Sequence, residues 1–389
     1  MQLDFHYYAT YCAAFLAGYK HSQSLEIAYA AQYVDCCTRT ALKKMKAPLS
    51  AATTQTQMEL MDANPGILAL QDFTRIWASF HFLPRDLYAN PGRRSRVYLS
   101  KYRLICGPNG ALLLDTLKLA KQSGTLQAIG IAMHILADTW AHQHFAGTPS
   151  LVINNTTSDF YEILDKDGET VERKISFQHR VSSPDDFEHS RYTNSLFQTN
   201  EYSVMNLGHG RAGHLPDYCF IKYRYLPAWG DYEEIVKDNP SDYLFAFAQM
   251  VYALKLMHKG EQEFESGRYD FEALEPIREE LDSLLHKRQP DACAEWKALG
   301  EKLSGQKIPE FTARQYEYDY LDAMPNMKDS TAPGKFFIAA MAQKSMVTKR
   351  IFDSGTLLAG YSVDYFKYGF KGIKDFRKLV EDMKGKVPK

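Results

Sequence analysis

Four metal-competent side chains, His134, Asp138, His142 and His144, fall within eleven consecutive positions, directly after the apolar stretch Leu126 to Met133. In an α-helix His134, Asp138 and His142, spaced i, i+4 and i+8, stack along one stripe. Imidazole nitrogen and carboxylate oxygen are the donors that a tetrahedral zinc site uses. The apolar lead-in sets this stripe against a core, where ionisable groups need something to offset their lost hydration. A cation is the simplest such partner. A helix with solvated histidines on its outer face is the competing reading.

The remaining composition narrows the class. Apolar residues at 45% and charged residues at 24% describe a globular chain able to bury a large core. Forty-six Lys+Arg against 47 Asp+Glu leave it near neutrality, which excludes a whole-surface electrostatic trap for nucleic acid. No window approaches 18 consecutive apolar residues, so no transmembrane helix is expected. The first residues carry no basic and apolar leader. Six cysteines without repeat spacing, two of them adjacent (Cys36 and Cys37), favour free thiols in a reducing compartment. The expected location is the cytoplasm.

Helical patterning runs from Phe5 to Gly18, Leu25 to Lys46, Ile67 to Phe80, Ala111 to Lys121 and Thr125 to His144. It resumes from Ser241 to Glu265, Phe271 to His286, and roughly Phe336 to Met383. The polar stretch 147–205 interrupts it, and Asp167-Gly168 between alternating residues is a hairpin signal. The expected fold class is therefore all-α: a multi-helix bundle with a metal cluster between helices and a small insertion containing a β-hairpin. A helical metal-binding domain is expected over 1–260, with the insertion (about 147–205) either a lid or a purely structural excursion. A helical extension over 261–389 is expected to pack on it.

Other segments offer ligand-type residues in apolar or glycine-rich surroundings: Asp4 and His6, Asp35, His81 between two phenylalanines, and His209, His214 and Asp217. Each alone reads more simply as a hydrogen-bonded core group. Together they outnumber what one zinc needs, which points to a multinuclear site. Iron and manganese use the same donors.

With these residues in view, the spacing H-x3-D-x5-H of His134, Asp138 and His144 resembles the zinc-dependent phospholipase C and single-strand nuclease superfamily. That resemblance implies a helical protein holding three zinc ions in a cleft, with Asp138 bridging two of them and His144 serving the third. It also implies ligand roles for His6, Asp35 and His81, and for residues downstream, here His209, His214 and Asp217. The family motif ends in Pro-x-His, whereas this chain has His142-Gln-His144. Family members also use the amine and carbonyl of a processed first residue, which this sequence does not suggest. Asp4 is the expected replacement oxygen, and a centre of only two metals is the alternative.

Such a centre suits hydrolysis of a phosphodiester, in a lipid or a nucleic acid. Asp138 would bridge, Asp35 would ligate and position water, and Arg211 would neutralise a phosphate or, on the simpler reading, sit in a surface ion pair. The basic tract 93–103 could follow nucleic-acid phosphates, or be a solvated loop. The amphipathic tail 367–389 could rest on an anionic membrane, or pack on the body. No dedicated protein partner is expected. Two rival functions stand beside this one. A helical nucleotide phosphohydrolase would carry a tandem His-Asp pair, and the chain has no His-Asp dipeptide. A non-catalytic, metal-stabilised helical binding protein needs only the ligands.

Overall fold

A computed structural model describes residues 1–48, 53–55, 67–89, 102–166, 168–178, 184–194, 207–230, 233–260 and 263–356. The tail 367–389, most of the basic tract 93–103 and parts of the 147–205 insertion lie outside the described residues. A π-helical turn, Asp4–Ala9, runs into α1 (Thr10–Leu16). There follow α2 (His21–Tyr33), α3 (Arg39–Met45), α4 (Ile67–Phe80), α5 (Ala111–Ser123), α6 (Leu126–Ala141) and the single turn α7 (Leu151–Asn154). Next come β1 (Tyr161–Lys166), β2 (Glu169–Lys174), β3 (Ser176–Gln178), β4 (Arg191–Thr193), β5 (Lys222–Tyr225) and β6 (Ile235–Asp238). Then α8 (Asn239–Lys259), α9 (Arg278–His286), α10 (Cys293–Ser304), α11 (Arg314–Asp322) and α12 (Ala332–Asp353) complete the order.

Helix α6 is the axis of the molecule. Thr125 caps it, Oγ1 accepting from Ala128 N at 3.3 Å, and every residue from Gln127 to Ala141 is buried. A helix buried on all sides requires neighbours all round, and α2, α4, α5, α8 and α12 supply them. The approach of α2 depends on small residues. A Cβ on Gly130 would lie 2.4 Å from the Ile27 carbonyl oxygen and 2.7 Å from Ala30 Cβ. This fit brings the turn after α2, which carries Asp35, against the His134 end of the stripe.

The C-terminal helices share that core. Leu274, Trp296, Phe336 and Ile351 belong to the same hydrophobic cluster as Phe5, Ile27, Met133 and Phe247. Gln343 on α12 donates to Ser79 O at 3.2 Å and Thr116 Oγ1 at 3.0 Å, which ties α4, α5 and α12 together. All six cysteines are free thiols. Among the described residues no helix is long and apolar enough to cross a membrane.

The all-α expectation is corrected. An antiparallel sheet of order β2-β1-β5-β6 and a parallel pair β3-β4 make the fold mixed, though helices dominate it. The hairpin at Gly168 (φ 82°) is present, but β5 and β6 come from beyond the insertion and extend its sheet, pairing Tyr161 with Arg224 and Lys222 with Asp238. Four-residue strands such as Lys222–Tyr225 are too short to stand out against helical periodicity. Their inward tyrosines, Tyr223 and Tyr225, join Phe82, Phe145 and Phe160 in a second apolar cluster. Buried Glu162 on β1 accepts from Arg288 Nη1 at 2.6 Å and Tyr192 OH at 3.2 Å, linking this sheet to the C-terminal helices.

Candidate metal centre

The stripe on α6 meets side chains from four other segments. Three groups of potential ligands form side by side: Asp35, His81 and His134; His6, His134 and Asp138; and His142, His209 and Asp217. Asp138 joins them. Its Oδ2 lies 3.2 Å from His134 Nε2 and 3.3 Å from His81 Nδ1, while Oδ1 lies 3.2 Å from His6 Nε2.

Around the first group three donors form a tight triangle. His134 Nε2 and His81 Nδ1 are 3.2 Å apart, and each is within 3.3 Å of Asp138 Oδ2. Asp35 Oδ1 lies farther out, at 3.8 Å from His81 Nδ1 and 4.0 Å from His134 Nε2. Donors around one tetrahedral zinc ion are separated by about 3.3 Å. The triangle matches that spacing, and the Asp35 corner is open.

Backbone carbonyls set the tautomers that such ligation needs. His81 Nε2–H donates to Thr54 O at 3.0 Å, leaving Nδ1 to face Asp138. His142 Nδ1–H donates to His81 O at 2.7 Å, and His209 Nδ1–H to Gly213 O at 2.8 Å. Nε2 of each then faces Asp217, at 3.5 and 3.8 Å. A hydrogen bond from the far nitrogen is the usual support of a metal-bound imidazole. Two glycines make this possible. Gly208 (φ 56°) would drive a Cβ into the Phe82 ring at 2.3 Å, and Gly213 (φ 56°) would drive one into Thr193 O at 2.4 Å.

Burial makes the cluster costly without a cation. Both ring nitrogens of His6 and Nδ1 of His134 are buried without a hydrogen-bond partner, and the two rings stack at 3.8 Å. Orphaned polar atoms of this kind are rare in folded proteins. Burial, then neighbouring His6, lowers the His134 pKa to about 4. Burial would raise Asp138, but His142, the terminal ammonium, His134 and His6 hold it well below the usual carboxylate range. Asp217 is depressed in the same way, burial being outweighed by His209 and the ammonium.

That ammonium is Met1's. It is buried, 2.8 Å from Asp138 Oδ1, 3.1 Å from His142 Nε2 and 3.3 Å from Asp217 Oδ1. Burial would lower its pKa, but Asp138 and Asp217 raise it to about 11. The acidic oxygens thus converge on a positive charge. Nothing in the residue pattern signalled this group, nor the Thr54 carbonyl behind His81.

Other expected ligands fall elsewhere. Asp4 turns away: its carboxylate accepts from Phe5 N at 2.8 Å and Ala292 N at 3.0 Å, anchoring the π-turn to the start of α10. His144 is excluded because α6 ends at Ala141 and the chain reverses. His144 adopts φ 78°, its amide donates to Cys106 O at 3.0 Å, and its ring lies beside Trp229. His214 is exposed and donates from Nδ1 to Asp217 Oδ2 at 3.3 Å, outside the three groups. Arg211 sits on the turn Gly210–Ala212 next to His209, its carbonyl accepting from Asn194.

A pH dependence of stability follows. The pKa values of His134 and His209 are lowered to about 4 and that of His144 to about 3, in each case first by burial. Free imidazole titrates near pH 6.5. Between roughly pH 6.5 and 4 the unfolded chain therefore binds protons that the folded chain refuses, and stability falls as pH falls. His81, whose pKa is raised by Asp138 and Asp35 against its burial, and Asp4 and Asp242, raised first by burial, pull the opposite way, and the three lowered histidines are expected to prevail. Melting temperature is expected to decline steadily below pH 6.5 and to change little from 7 to 8. His144→Asn, which tolerates the left-handed backbone, is expected to flatten that slope without changing metal content.

Neither the curated proteins nor the solved structures contain a match to this chain. Residues 1–351 match a family of unknown function, DUF6765, and the chain belongs to that family.

Proposed function

We propose that this protein is a metal-dependent phosphodiester hydrolase whose centre holds two or three zinc ions. The observation that carries the reading is Asp138, which divides its two carboxylate oxygens between adjoining ligand groups. A carboxylate so placed suits neighbouring cations of the kind that act together on phosphate esters. Zinc there supplies Lewis acidity, lowering the pKa of water and neutralising phosphate charge.

The chain's own residues divide the work. His81, His134, Asp138 and Asp35 would hold one ion, with His6 and the other Asp138 oxygen toward a second. His142, His209 and Asp217 would hold a further one where the Met1 ammonium, now 3.1 Å from His142 Nε2 and 3.3 Å from Asp217 Oδ1, gives up that place. Asp35 is the accessible corner: its side chain is 27% exposed, against 0–5% for His134, Asp138 and His81. Substrate and water reach the centre from that side, and Asp35 orients the attacking water. Arg211, beside His209, takes the role of phosphate neutraliser.

The test is elemental analysis of purified protein together with turnover of bis(p-nitrophenyl) phosphate. Two or three zinc equivalents with zinc-dependent turnover, lost in His134→Ala, are the expected result. Iron or manganese in place of zinc would revise only the metal. Full loading without turnover on nucleotide, nucleic-acid or lipid esters would favour the second reading, a metal-stabilised binding protein. The buried His6 ring, whose nitrogens lack a hydrogen-bond partner although Nε2 lies 3.2 Å from Asp138 Oδ1, supports a cation under either reading.

A further inference from the structure

A concavity away from the histidine cluster has a volume of about 570 Å³ and opens between α5, α8 and the segment Arg85 to Tyr88. Its size falls in the range of small-molecule sites, roughly 300–1,000 Å³. The wall is mostly apolar, built from Leu87, Leu114, Leu117, Leu256, Met257 and Phe264. The rim is charged, and its ion pairs are unequal. Arg350 pairs with Asp115 at 3.0 Å and Lys118 with Glu263 at 3.7 Å, while one oxygen of Asp86 accepts from the Tyr88 amide at 2.8 Å. Among the described residues the Arg85 guanidinium has no carboxylate or hydrogen-bond partner, although Arg85 lines the same cavity.

The Arg85 stem is held in place. A Cβ on Gly107 would lie 3.0 Å from Arg85 Cδ, and one on Gly110 would strike the Arg85 carbonyl at 2.4 Å. These two glycines let the neighbouring loop close down on Arg85. The side chain is thus braced at the mouth of an apolar trough, its charge left for an incoming anion.

We propose that this trough binds a single-chain anionic amphiphile, with the hydrocarbon chain along Leu114, Leu117, Leu256 and Met257 and the acidic head on Arg85. An apolar tail alone would leave the exposed guanidinium to water, and a free inorganic anion would leave the apolar wall wet. A molecule with both parts engages the cation and the wall together. Carboxylate and phosphate heads share the required chemistry.

Titration of the full-length protein with cis-parinaric acid, a fluorescent fatty acid, tests this. Saturable binding of one equivalent per chain is expected, displaced by palmitate and by lysophosphatidic acid but not by dodecanol, which lacks the charge. If only one of those acids displaces, the head is assigned to that class. Arg85→Glu, at an exposed position, is expected to weaken binding at least tenfold, and Leu114→Trp, which fills a half-buried part of the wall, to abolish it. Circular dichroism shows whether each variant stays folded. Absence of saturable binding, equal displacement by dodecanol, or unchanged affinity in both folded variants would overturn the proposal.

Discussion

On the proposed function, Asp138→Ala is expected to empty the centre, zinc content falling from two or three equivalents to below one with loss of all phosphodiester turnover. The reason is positional. Among the described residues Asp138 is the one carboxylate within 3.3 Å of His6, His81 and His134 together, and the Met1 ammonium also rests against it. Its removal leaves a buried positive charge and several imidazoles without their shared counter-ion. Breaking a buried charge pair from one side costs about 3–5 kcal/mol, so a marked drop in melting temperature accompanies the metal loss. Asp138→Asn separates the two effects, because it keeps the volume and one acceptor oxygen. It is expected to retain more stability than Asp138→Ala while still losing turnover. Full metal loading in Asp138→Ala, measured by elemental analysis, would sink the bridging role.

Gly130→Leu is expected to have a large effect although the position is outside the ligands. A side chain there must displace the Ile27 carbonyl and Ala30, both part of α2. Overpacking of this kind costs about 1–3 kcal/mol, occasionally more. Here it also moves the turn bearing Asp35 away from His81 and His134. Urea denaturation is expected to show the loss, and elemental analysis a lower metal content, with Gly130→Ala intermediate in both. Gly124→Ala is the control. Its φ of 64° strains the backbone, but no atom lies within 4 Å of the added Cβ, so only roughly 1 kcal/mol is lost and metal content is unchanged. Equal effects at the two glycines would mean that the close approach of α2 to α6 does not matter.

Much of the helical frame was legible because long amphipathic or apolar periodicities leave few alternatives. Ile67–Phe80 and the helix bearing His134 are the plainest cases. The histidines and carboxylates of the centre could be named as candidates from residue type alone. Which of them meet could not, because convergence depends on chain reversals. His142 and His144 differ by two residues and share a chemistry, yet one ends the stripe and the other is carried off by a left-handed backbone turn. Asp4 and His6 show the same divergence inside a π-turn, where the usual helical register does not apply. The four-stranded sheet was missed because β5 and β6 are short and β5 pairs with a strand some sixty residues away. No local period records such a pairing.

The carbonyls behind His81, His142 and His209 have a consequence for how this family can vary. Thr54, His81 and Gly213 offer main-chain oxygens, which no exchange of side chain can delete. Ring orientation at these three positions is therefore insulated from sequence drift among the flanking residues. It is hostage only to the path of the polypeptide, and so to the few glycines that permit that path.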